Sequence, residues 1–176
     1  MDGQGSPPRF PVFLDRRSPC GCFGRTSPRS FLTALREAAA DSEERYPSHV
    51  TALHYESIKR GVQRASGDRV EELEEDYPWI KELMAPLRGL VVPCRFEDVE
   101  RLWEGAGTVA RLESESSANG YLPPEHVEAG PRGLRGDLEN VGLFQRLTDD
   151  RVNIPDLFRV GLGIGRRGGV KAVRRE

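Results

Sequence analysis

The stretch from Pro131 to Leu162 constrains the fold of this chain more than any other. Leu134, Leu138 and Val141 recur at spacings of four and three residues, which gives a helix over 131–141 one apolar stripe. Gly142 follows at once and suits a left-handed helix end, where a Cβ would be strained. Leu143-Phe144-Gln145-Arg146-Leu147 and Val152-Asn153-Ile154 then flank Thr148-Asp149-Asp150-Arg151, the composition of two short strands about a tight turn. Pro155-Asp156 closes the hairpin and opens a short helix through Leu157, Phe158, Val160 and Leu162. Helix, two-stranded wing, helix is the order of a winged-helix end. None of these pieces buries its apolar face alone, so they are expected to wrap into one compact nucleus.

The rest of the chain reads as mainly α. Ser27 and Pro28 open a helix that runs to Arg45, with Phe31, Leu32, Leu35 and Ala38 or Ala39 as its buried face, and Tyr46-Pro47 stops it. A second helix is expected from Val50 through Leu53, His54, Ile58 and Val62, either continuous or split near Ser66-Gly67-Asp68, with helix resuming through Val70, Leu73 and Tyr77. Trp79 to Met84 forms a third element, ending at Pro86 to Gly89, and Leu90 to Cys94 is a strand or an extended connector. Phe96 to Trp103 follows as a helix with Phe96, Val99, Leu102 and Trp103 turned inward. The expected organisation is a Pro/Gly/Arg-rich disordered leader at 1–25, a helical region at 26–104, a Gly/Ser-rich loop or linker at 105–121 with room for a helical turn around Val109 to Leu112, a winged-helix-like unit at 122–165 and a basic tail at 166–176. The fold class is thus a helical bundle followed by a winged-helix-like unit with a short hairpin.

No run of about 18 apolar residues is present, so no spanning helix is expected, and the start lacks a secretory core. Three cysteines, Cys20, Cys22 and Cys94, point to free thiols in a reducing, cytoplasmic setting. Cys20 and Cys22 are too close for a zinc half-site, and His49 and His54 stand five apart, off a common helix face, while His126 is isolated; no metal is expected. Gly161 to Lys171 resembles a phosphate loop only in composition, since no Ser or Thr follows Lys171 and no helix has room behind it. No Gly-x-Ser-x-Gly turn occurs, so no catalytic residue and no cofactor is expected. The acidic run from Glu71 to Asp76 reads as a solvated helix face, and Trp79 and Trp103 read as core. The residues suited to phosphate or nucleic-acid contact are Arg132, Arg135, Arg151, Arg166, Arg167, Lys171, Arg174 and Arg175.

Several phrases of the chain are similar to a known family. Gly24-Arg25-Thr26-Ser27-Pro28-Arg29-Ser30-Phe31-Leu32-Thr33-Ala34-Leu35-Arg36, then Ala52 through Gln63, then Glu75-Asp76-Tyr77-Pro78-Trp79 and Arg151-Val152-Asn153-Ile154-Pro155-Asp156 resemble the C-terminal helical and winged-helix region of bacterial P-loop ATPases of the MinD/ParA-like kind, over residues 24 to 173. The resemblance implies a regulatory or contact region without the nucleotide core, as in a truncated or fragmentary member, whose partner is a protein: an ATPase core in trans, or a second copy. No Walker lysine or Walker acid is found, so ATP hydrolysis carries over to no residue. The competing expectation is a small winged-helix DNA-binding protein that uses the 131–141 helix and the basic tail.

Overall fold

The computed structural model describes residues 28–166. The leader expected at 1–25, with Cys20 and Cys22, and all of the basic tail beyond Arg166 lie outside the described residues. Helix α1 (Pro28–Arg45) starts at the proline, whose missing N–H costs nothing at a first helical position. Helix α2 (Tyr55–Asp76) runs antiparallel to it, with Arg29 near Glu72 at one end and Asp41 paired to Arg60 at the other. Arg60 grips both Asp41 oxygens at 2.8 and 2.5 Å and holds that carboxyl down at about 2. The buried face of α1 differs from the expected one. Phe31, Leu32 and Leu35 are exposed, while Ala38 is buried as expected, with Ala34 and Ser42 beside it on the face toward α2. Gly61 is the reason: a Cβ there would lie 2.3 Å from the Ala34 carbonyl oxygen. The two backbones approach where both helices carry small residues, and leucines do not fit between them.

Helix α2 starts at Tyr55, not Val50, and of the two alternatives at Gly67 it takes the continuous one. Val50 is fully exposed, and His54 caps the helix with its Nδ1 accepting the Glu56 N–H at 3.2 Å. Beside Gly67, the buried Ser66 hydroxyl donates to the Leu157 carbonyl at 2.5 Å and accepts the Gly161 N–H at 2.7 Å. Tertiary contact at this point holds the helix through its glycine.

Helix α3 (Trp79–Met84) and a 3-10 turn lead to β1 (Val91–Val92) and β2 (Cys94–Arg95), so the ambiguous apolar run is two short strands. Helix α4 (Phe96–Gly105) buries Phe96, Val99 and Trp103 but leaves Leu102 exposed. The expected linker at 105–121 is helix α5 (Thr108–Asn119) for most of its length, entered through Gly107 and left through Gly120, both left-handed. Its serines do not break it, because Ser116 and Ser117 donate back to the carbonyls of Leu112 and Glu113 at 2.6 and 2.8 Å.

Helix α6 (Gly130–Asn140), the left-handed Gly142, β3 (Gln145–Arg146), β4 (Arg151–Asn153) and helix α7 (Asp156–Arg159) follow in the expected order, ending at β5 (Gly165–Arg166). Strand β4 pairs antiparallel with both β3 and β2, giving the order β2-β4-β3, and β5 pairs parallel with β1. One core runs from Val70 and Leu73 through Trp79, Ile80, Phe96, Trp103, Leu112, Leu134 and Phe144 to Ile164. Trp103 binds it together: its indole N–H donates to the Leu83 carbonyl at 2.7 Å and its ring stacks on Phe144. One apolar core thus draws on residues from α2 to β5, Leu112 of α5 among them. Among the described residues no helix is long and apolar enough to cross a membrane.

Candidate functional site

Three of the expected contact residues, Arg132, Arg135 and Arg151, lie at the hairpin end, and Arg135 there is bound internally. Arg135 is 5% exposed; its guanidinium lies 4.6 Å over the Phe96 ring, donates to Glu139 at 2.9 Å and pairs with Asp150. That contact holds the Asp150 carboxyl below its usual range. Arg135 is thus a strut between α6, α4 and the hairpin turn. Glu139 also accepts from the Arg146 Nε at 3.1 Å, and the Asp150 carbonyl receives the first N–H of α4, from Phe96, at 3.0 Å. The turn is sharp because Asp149 and Asp150 both adopt φ near +55°, at 59° and 53°, a conformation that short polar side chains tolerate.

Of the other expected contact residues, Arg132 and Arg151 are exposed, and Arg151 donates to the Pro93 carbonyl at 3.1 Å. Arg166 is half-buried and pairs with Asp156 at 3.2 Å, beside the fully buried Arg159, which binds the same carboxylate at 2.7 Å and the Ile164 carbonyl at 3.1 Å. Arg167, Lys171, Arg174 and Arg175 lie outside the described residues. The α6 surface that faces away from the core therefore offers Arg132 and Asn140, next to a turn whose exposed tip is acidic.

A second cluster was not legible in the sequence. Glu125, His126 and Asp137 bring their ligand-type atoms within 4.8 Å of one another, the one such grouping among the described residues. Asp137 is buried, and both its oxygens serve His126: one accepts the backbone N–H at 2.9 Å, the other meets Nδ1 at 2.7 Å. This bond raises the imidazole above its ordinary 6.5. The pair is a clasp that ties the approach to α6 onto the helix, one bond to each Asp137 oxygen. His49 and His54, expected on different faces, meet edge to face at 4.7 Å, with His54 stacked on Tyr46. Cys94 is a half-buried free thiol whose pKa burial pushes up, which disfavours a reactive thiolate. A cleft of about 240 Å³ between α1 and α2 is lined by Arg29, Ser30, Thr33, Arg36, Asp68, Arg69 and Glu72. Within it Arg69 binds Glu72 at 2.8 Å.

The hairpin end thus carries a mixed-sign surface over internally paired arginines. Comparison with protein-family models, curated proteins and solved structures finds no match.

Proposed function

We propose that this chain is a non-catalytic contact module of winged-helix type that binds a protein. The strand order β2-β4-β3, with α4 after the first strand and α6 leading into the hairpin, supports the winged-helix description, α5 being an added helix. The partner is the kind of P-loop ATPase core that the resemblance of residues 24 to 173 implies, supplied in trans.

The observation that carries the choice of a protein over DNA is the use of Arg135 as a buried strut below the acidic turn. A duplex presents a dense row of phosphates, and binding requires arginines and lysines free to displace counterions. Here the hairpin tip would set Asp149 and Asp150 against those phosphates. A surface mixing Arg132, Arg146 and Asp149 instead suits a partner that also carries both signs, for which charge order sets orientation.

Two titrations test this. Fluorescence anisotropy with a labelled duplex at about 50 and 200 mM salt is expected to show no saturable binding; tight binding that falls steeply with salt would replace the proposal with the DNA reading. ATP turnover by P-loop ATPase cores from the same genome is expected to change when the chain is added, and Arg132→Glu is expected to remove the change. Cores that neither bind nor respond would overturn the ATPase assignment.

A further inference from the structure

The face of α1 turned away from α2 has a pattern of its own. Leu32, 63% exposed, Leu35, 37% exposed, and the exposed Ala39 follow at three- and four-residue spacing, the seam of a helix packed against another helix. Along one edge of that seam, Arg29, Arg36 and Glu43 repeat every seven residues and are all exposed. The charges of α1 are also ordered along its length. Its first half carries Arg29 and Arg36 and no acid; its second half carries Glu37, Asp41, Glu43 and Glu44 against Arg45. A helix by itself is favoured by acids at its start and bases at its end; α2 answers part of this reversed order, through Asp41–Arg60, Glu37–Arg64 and Arg29–Glu72, and leaves Arg36, Glu43 and Glu44 facing solvent.

We infer that α1 is the contact between two copies of this chain, paired antiparallel about a two-fold axis. In that arrangement Leu35 of each copy packs over Ala39 of the other, the basic first half lies along the acidic second half, and Arg29 of each copy faces Glu43 of the other. A parallel pair would set like charges together. The opposite edge of the seam is closed by α2, so only the edge bearing Arg29, Arg36 and Glu43 meets the second copy. Arg36, which meets its own equivalent near the axis, is accompanied by Glu37 at 3.1 Å. A helix of this length spans about 27 Å, which places the contact among small interfaces and makes the dimer weak and dependent on concentration. The inference stands apart from the reading of the hairpin end.

Sedimentation velocity on the full chain between about 5 and 500 µM tests it, the range in which small interfaces associate. The mass is expected to rise from one chain to two. Leu32→Asp, at a position outside the core, is expected to weaken association at least tenfold while the helical circular dichroism is retained. Arg29→Glu and Glu43→Arg are each expected to weaken it several-fold, since attraction becomes repulsion at two symmetric places. The double variant is expected to recover, and an equal mixture of the two single variants is expected to associate more tightly than either alone. A one-chain mass at every concentration, or association that Leu32→Asp or the charge exchanges leave unchanged, overturns the inference.

Discussion

Asp137 and Arg135 are neighbours on α6, and both are buried by what they hold rather than by what they could bind. The clasp between Asp137 and His126 makes a prediction at this scale. Because the imidazole titrates above its ordinary 6.5 in the folded protein, its contribution is complete below the unfolded value and is lost as pH rises through the higher folded value. Resistance to urea is therefore expected to fall slightly on going from mildly acidic to mildly alkaline pH. Asp137→Asn is expected to flatten that fall and to return the His126 ring to the ordinary range by NMR titration; a ring that titrates identically in both proteins would refute the clasp. Neither residue was legible at this level. His126 stood alone in the sequence, its partner eleven residues on, and Arg135 looked like a surface arginine because Phe96 and Asp150, which enclose it, come from other elements.

At the scale of elements, periodicity located helices better than it located their faces. Helix α1 was expected to bury its large apolar residues, yet it packs through Ala34, Ala38 and Ser42 because Gly61 of α2 permits closer approach there. Two glycines of α2 should consequently respond in opposite ways. Gly61→Ala pushes a methyl group into the Ala34 carbonyl and is expected to destabilise the protein by about 1–3 kcal/mol. Gly67→Ala meets nothing within 4 Å and is expected to stabilise it by up to about 1 kcal/mol, through helix propensity and lost freedom of the unfolded chain. Urea denaturation followed by circular dichroism measures both, and equal signs would contradict the packing described. Helix α5 shows the same limit in another form. Its glycines and serines read as a loop, but Gly107 and Gly120 only bound it, and the serines bond back into it.

Across the whole molecule, the decisive contacts join residues far apart in the chain. Ser66 couples the middle of α2 to the segment after α7, and Trp103 couples α4 to α3 and to the hairpin end. Because one core spans Val70 to Ile164, unfolding followed by tryptophan fluorescence and by circular dichroism is expected to coincide in one transition. Ser66→Ala is expected to lower stability by about 1–3 kcal/mol, since it leaves the buried Gly161 N–H without its acceptor. Two separated transitions would restore the division at 105–121. By itself the sequence determined what depends on near neighbours: the start of α1 at Pro28, the order of α6, hairpin and α7, the glycine stop at Gly142, and the burial of Trp79 and Trp103. Only the tertiary structure decided which face of α1 is hidden, that β2 joins the hairpin as a third strand, and that Arg135 turns inward. Local signals reach a few residues along the chain, whereas burial and ion pairing are settled by whatever distant segment arrives, and composition does not encode that distance.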